Sequence, residues 1–329
     1  MRTYKKSLWV FLSVLALLFI TACGSDSDKE AEDTNSGDGG KSYTVKHAMG
    51  ETEIPEKPKK VVVLTNEGTE AVLALGVQPT GAVQSWLGDP WYKHIEEDMD
   101  GVEVVGLEQE VNVEKIAELQ PDLIIGNKQR QEAVYDKLSA IAPTVFSEQL
   151  RGDWKENFKL YAEALGLEDK GEEVLADYDA HVEEVKTALG DKTDQEVSVV
   201  RFMAGTSRIY YKDSFSGVIL DELGFKRTEA QTEMFDESNK MGELAIEVGK
   251  EAIPKMDGDI LFYFTYAPQD DREALSTEEE WTSDPLWKNL NVVQEGNAHK
   301  VSDAVWNTAG GVIAANQMLD ELQEIMTEE

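Results

Sequence analysis

Only one cysteine, Cys23, occurs in the 329 residues. A disulfide framework, a zinc–thiolate centre and a catalytic thiol in the body of the chain are therefore excluded. Histidine is nearly as scarce. His47, His94, His181 and His299 stand far apart with no ligand-spaced pair, so no metal site built directly from protein side chains is expected. A Walker-type phosphate loop is missing, and Gly205-Thr206-Ser207 is too short to replace one. No G-x-S-x-G element or similar nucleophile motif is present, so catalysis has no visible machinery. Positive charge is also in short supply: 31 Lys and Arg face 65 Asp and Glu, for a formal net charge of −34. That balance argues against nucleic acid and against a polybasic membrane contact, and mainly favours solubility. It also makes any local cluster of positive groups informative.

Long apolar runs are few. The clearest is Leu8 to Ile20, 13 residues that follow Arg2, Lys5 and Lys6. A membrane span needs about 20 residues, so the run reads as the core of a signal peptide over 1–22. Ile20-Thr21-Ala22-Cys23-Gly24 resembles a bacterial lipobox, in which Cys23 is acylated and opens the mature chain. The alternative is an ordinary signal peptide with an incidental cysteine. Gly24 to Ser42 has almost nothing apolar to bury, so 23–42 is expected to be a flexible, lipid-anchored tether. Cleavage before Cys23 removes three basic residues and no acidic one, leaving 28 against 65 and a net charge of −37.

The remainder is long enough for two lobes. Expected strands are Val61 to Leu64, Gly81 to Gln84, Val102 to Val105, Leu123 to Ile125 and Thr144 to Phe146. Expected helices alternate with them: Thr69 to Leu75 stopped by Gly76, Val113 to Leu119, and Gln131 to Ile141. This alternation predicts an α/β fold with mainly parallel sheets covered by helices. Trp154 to Leu189 is helical with a break between Gly166 and Gly171. Its second part carries Val174, Leu175, Tyr178, Val182, Val185 and Leu189 at helical spacing, and reads as a stiff connection between lobes or as a surface helix of the first. The resulting division is an N-terminal lobe at 43–165, a connecting helix at 166–190 and a C-terminal lobe at 191–329. The second lobe is expected to hold a strand Val197 to Met203, a helix Phe215 to Leu223 stopped by Gly224, a strand Ile260 to Phe264 and a last helix Thr308 to Met326. One internal echo relates the lobes. Glu114, Ile116, Leu119 and Asp122 precede one strand with the same spacing as Glu251, Ile253, Met256 and Asp259 before another.

Ligands of open α/β sheets bind beyond the carboxyl ends of the strands. Those ends carry Asn66, Trp86, Gln129 with Arg130, Arg201, then Arg208 with Tyr210, Tyr266, and Trp306 with Asn307. Arginine is rare, seven residues against 24 lysines, yet three of the seven fall in this set. A guanidinium offers a flat, permanently charged fork for oxygen anions, and aromatic walls shield an organic ligand. Surface salt bridging is the other reading of each arginine. Gly310-Gly311 before the last helix reads as a close-packing site.

Taken in order, these residues resemble the bacterial periplasmic-binding proteins of the iron–siderophore and vitamin B12 type. The first lobe contributes Val61 to Leu64, the helix to Gly76 with Val77-x-Pro79-x-Gly81, and Pro121-Asp122-Leu123-Ile124. Arg208-Ile209-Tyr210, Gly217-x-x-Leu220-x-x-Leu223-Gly224-Phe225 and Trp306-Asn307-x-x-Gly310-Gly311 look like the Gram-positive branch that takes hydroxamate and citrate-type siderophores. The resemblance implies two lobes joined by one long helix, limited hinge motion, and a ferric siderophore between the lobes as ligand rather than cofactor. It also implies delivery to an ABC permease dimer, with Glu114 and Glu251 as the docking carboxylates. On this reading Arg130, Arg201 and Arg208 meet the ligand's negative periphery, Trp86, Tyr210 and Trp306 line the pocket, and Asn66, Gln129, Tyr266 and Asn307 assist. The protein is expected to be a monomeric lipoprotein on the outer face of the cell membrane, and not an enzyme. Haem, cobalamin or a free metal ion are the rival ligands, and an anchored enzyme on the same fold is the rival from another class.

Overall fold

The computed structural model describes residues 42–238 and 244–327. The expected signal peptide, Cys23 and the tether as far as residue 41 lie outside the described residues. The body opens with an antiparallel hairpin, β1 (Tyr43–His47) and β2 (Gly50–Ile54). A six-stranded sheet follows, built from β3 (Val61–Val63), β4 (Gly81–Gln84), β5 (Glu103–Leu107), β6 (Glu110–Val111), β7 (Leu123–Asn127) and β8 (Thr144–Ser147). Its order is β6-β5-β4-β3-β7-β8, and every pairing but β5–β6 is parallel. Val61 to Val63 and Leu123 to Ile125 are fully buried, as strands covered on both faces must be.

A second sheet has the order β11-β10-β9-β12-β13, from β9 (Val197–Met203), β10 (Thr206–Tyr210), β11 (Ala245–Val248), β12 (Ile260–Thr265) and β13 (Ala298–Lys300). β9, β12 and β13 run parallel, while β10 pairs antiparallel with β9 on one side and with β11 on the other. The stretch from Gly205 is thus no open loop. Gly205, at φ +67°, turns β9 back into β10 and sets Arg208 opposite Arg201 in register.

Between the sheets run two helices, Trp154–Leu165 and the 22-residue Glu168–Leu189. The break between them narrows to Gly166 and Leu167, with Gly166 in the left-handed region at φ +62°. Gly171 lies inside the second helix, where an added Cβ would come within 2.6 Å of Ala162 Cβ, so it permits close packing rather than a break. The long helix buries Leu175, Tyr178, Val182, Val185 and Leu189 and packs on the C-terminal helix Val312–Thr327. One core cluster accordingly includes residues of both sheets and of these helices.

The echo is visible as geometry. Asp122 Oδ2 accepts the backbone N–H groups of Lys59 and Lys60, and Asp259 Oδ2 accepts that of Glu196. Each aspartate thereby fixes the start of one parallel strand beside its neighbour, β7 along β3 and β12 along β9. The preceding turns differ. Val113–Leu119 is an α-helix, but Lys250–Met256 winds as a 3₁₀ helix containing Pro254, which lacks the N–H that an α-helical turn uses. Two other expected helices also change. Gln131 to Ile141 divides into short turns around Gln131, whose buried amide bonds Leu64 O, Glu108 O and Asn127 N instead of facing solvent. The last helix starts at Val312 because Ala304–Thr308 forms a π-turn and Gly310 takes φ +72°.

Candidate functional site

A cavity of about 250 Å³ opens where the carboxyl ends of the two sheets approach each other. The first sheet supplies Glu67 after β3, Trp86 after β4, Glu108 and Gln109 at the β5–β6 turn, Arg130 after β7, and Leu150 with Arg151 after β8. The second supplies Arg201 and Met203 from β9 and Tyr266 after β12, and Asn307 to Gly310 close the wall.

Local structure holds each group in place. Thr65 caps the helix Asn66–Ala74 by accepting the N–H of Gly68, which sets Glu67 in the first turn at the cavity wall. Glu108 is buried between Asn66, which donates to Oε2 through its backbone and side-chain nitrogens, and Arg130, whose Nε donates to Oε1 at 3.1 Å. Arg201 is gripped by the buried Asp303: Nε to Oδ2 at 2.6 Å and Nη2 to Oδ1 at 3.1 Å. Its Nη1 donates to the Tyr210 hydroxyl, and its guanidinium carbon lies 4.7 Å from the centre of the Tyr266 ring. Burial works against the Arg201 charge, but Asp303 and Tyr210 outweigh it and hold its pKa above the ordinary value. Burial likewise pushes the Asp303 carboxyl up against the pull of Arg201. Because guanidinium stays protonated, we regard the pair as ionic.

Arg151 differs from both. Its backbone sits at φ +83°, a strained conformation for a residue with a side chain, and its N–H donates to Glu67 Oε2. Among the described residues its guanidinium forms no ion pair. Burial pushes that guanidinium down; Tyr210 opposes this, while Arg130, Arg201 and Arg208 add to it. The wall therefore carries two guanidiniums paired with protein carboxylates and a third without an ion-pair partner among the described residues.

The expected site residues divide sharply. Trp86, Arg130, Arg201, Tyr266 and Asn307 are brought together at the cavity wall. Trp306 is not on the wall: it is fully buried, lies against Phe262 at 4.5 Å between ring centres, and donates Nε1–H to Glu321. Tyr210 is also buried, one layer behind the wall, as the partner of Arg201. Asn66 is spent on Glu108. Arg208 lies on β10 beside Glu247 at 3.6 Å, and Gln129 is exposed on a separate shallow surface with Lys128 and Glu148. Glu67, Glu108, Gln109, Arg151, Met203 and Thr308 are wall residues that the sequence reading does not include. The strand-end rule that points to Arg130 after β7 points equally to Arg151 after β8. Glu114 and Glu251 are both exposed, each in the first turn of an echoed unit. Among the described residues no group of three or more His, Cys, Asp or Glu side chains is placed to hold a metal ion, and no helix is long and apolar enough to cross a membrane.

Comparison with known proteins adds an independent line. A sequence profile described as periplasmic binding protein matches residues 61–301. The probable siderophore-binding lipoprotein YfiY of Bacillus subtilis (strain 168) is 54% identical over 324 residues, 98% of each chain. The putative ABC transporter substrate-binding lipoprotein YhfQ of the same organism is 30% identical over 327 residues, again 98% of each. Among solved structures, Staphylococcus aureus SirA complexed with staphyloferrin B superposes with a TM-score of 0.78 at 37% identity, covering 86% of this chain and 98% of that one.

Proposed function

The chain belongs to the periplasmic binding protein family, and from that premise we propose that it captures a ferric siderophore outside the cell membrane and delivers it to an ABC importer. The ligand class we infer is hydroxamate or citrate–hydroxamate. The observation that carries the reading is the clustering of Arg130, Arg151 and Arg201 around one cavity in a chain of net charge −34, with Trp86 and Tyr266 beside them. Iron in such a complex is wrapped by the ligand's own oxygens, so the protein needs to recognise only their negative outer surface, for which guanidinium forks are suited. Asn307 is a further polar contact in this reading, and Arg208 acts at longer range through the field of the cluster.

The rest of the proposal follows from the family. The lobes extend over 43–165 and 191–329, with the connection at 166–190, and the protein works as a monomer. Cys23 carries the lipid anchor, and Glu114 and Glu251 dock on the two permease subunits. Two exposed carboxylates on related units suit a two-fold partner. The relatives named above are binding proteins, and we propose no catalytic step. The reading is tested by intrinsic tryptophan fluorescence on addition of ferric hydroxamate, ferric citrate–hydroxamate, ferric catecholate, haem and cobalamin. Saturable quenching by a hydroxamate or citrate–hydroxamate complex, at lower concentration than by the others, is expected. Tighter binding of haem or cobalamin would sink the ligand class.

A further inference from the structure

Glu67 has no role in the binding scheme above. It is only 5% exposed, yet it stands on the wall of the cavity proposed above to take an anion. Its oxygens accept hydrogen bonds from Asn157 Nδ2 at 2.7 Å and from the backbone N–H of Arg151 at 3.2 Å. Both donors are neutral. Of the three wall guanidiniums, Arg130 is engaged by Glu108 and Arg201 by Asp303, and that of Arg151 forms no ion pair with Glu67, which only its backbone N–H reaches. The other groups that face Glu67 are acids or weak acids: Glu108 from the β5–β6 turn, Asp153 at the start of Trp154–Leu165, and Tyr161 of that helix. On its own helix, Glu70 is turned away to His94 and the N–H of Ala314. A carboxylate buried without a cation surrenders its charge.

We propose that Glu67 stays protonated in the cleft and makes ligand capture proton-linked, so that an anionic ferric complex docks beside the neutral acid and is disfavoured once the acid ionises. The inference rests on the ferric-siderophore reading. Its energetic basis is consistent with the surroundings: burial, opposed by the two hydrogen bonds and reinforced by Glu108 and Asp153, pushes Glu67 up to about 8. A bound anion disfavours ionisation further, so above that pH the protein must take up a proton in order to bind. Affinity should be nearly full at about pH 7, halved at about pH 8, and fall by up to about tenfold per unit above that. With half-ionisation at about 8, the loss between pH 7 and pH 9 is about tenfold.

The experiment is a titration of the wild type and Glu67→Gln with a ferric citrate–dihydroxamate complex from pH 6.5 to 9.5. Glutamine mimics the neutral acid but cannot ionise. The wild type is expected to lose about tenfold between pH 7 and 9, and the variant to match it within about threefold at pH 7 and stay level above. Equal slopes in the two proteins overturn the proposal, because the dependence then belongs to the ligand or to another group. Wild-type affinity that is flat or rises with pH also overturns it. If no ferric complex binds either protein at any pH, the ligand reading itself fails and this inference with it. The ¹³C shift of the Glu67 carboxyl in the ligand-free protein gives a second readout. A midpoint near 8 is expected, and one in the ordinary carboxylate range overturns the proposal whatever binds.

Discussion

Arg151 and Arg201 line the same cavity, but their loss should have different consequences. The Arg151 guanidinium has no ion-pair partner among the described residues, so Arg151→Ala leaves no protein charge stranded. Alanine keeps the left-handed backbone strain unchanged, and folding stability should move by less than about 1 kcal/mol. A charge-assisted contact to ligand is typically worth about 1.5–3 kcal/mol, so affinity should fall roughly 10- to 150-fold. Arg201→Ala instead strands Asp303, whose side chain is 1% exposed. Breaking a buried pair from one side costs about 3–5 kcal/mol of stability. Its weaker binding will therefore be mixed with partial unfolding, and the second change Asp303→Asn should restore stability without restoring affinity. Urea melts paired with fluorescence titrations separate the two effects, with the exposed Arg272→Ala as a control. Arg151→Lys should recover only part of the loss, since a point charge does not replace a fork. Arg151→Ala binding within about threefold of the wild type, or melting as early as Arg201→Ala, would refute this division of roles.

Other outcomes follow from the same contacts. Gly311→Ala would bring a Cβ within 2.6 Å of Glu70 Cβ and 3.1 Å of the Glu67 carbonyl oxygen, so the last helix must shift; a loss of about 1–3 kcal/mol is expected in thermal or urea melts. Trp306→Phe should destabilise the fold by about 1–3 kcal/mol, through the Glu321 hydrogen bond and the space left beside Phe262, while ligand affinity stays within about twofold. Glu67→Gln should also melt at a higher temperature than the wild type at pH 8. An acid whose folded pKa is raised binds more protons folded than unfolded between the ordinary carboxylate range and about 8, so stability falls as pH rises through that window, and glutamine removes the effect. Replacing Glu114 and Glu251 together with alanine should leave ligand binding intact and reduce uptake by cells, with each single change costing less.

Much of the architecture is legible because its signals are local. Val113–Leu119, Phe215–Leu223 with its Gly224 stop, and the strands Gly81–Gln84 and Val197–Met203 have the bounds that periodicity and glycine placement predict. Elsewhere tertiary context decides. A tryptophan after a strand reads as a pocket wall, but the π-turn at Ala304–Thr308 carries Trp306 into the core. Tyr210 reads as a second aromatic wall, but the tight β9–β10 hairpin makes it the hydroxyl partner of Arg201. Arg151 follows its strand by four residues and reaches the cavity through a left-handed backbone that no propensity announces. Glu67 is hidden for a different reason: an acid in the first turn of a helix normally reads as a favourable end charge, and only the packing shows that it has no ion-pair partner among the described residues.

A crystal structure of this chain with a ferric citrate–dihydroxamate complex bound tests directly where and how the ligand is held. The complex is expected in the cavity between the sheets, with ligand oxygens within about 3 Å of guanidinium nitrogens of Arg151 and of Arg130 or Arg201. Trp86 and Tyr266 should lie against its organic arms, and no protein atom should be bonded to iron. A ligand seated elsewhere, or iron coordinated directly by a protein side chain, would contradict it.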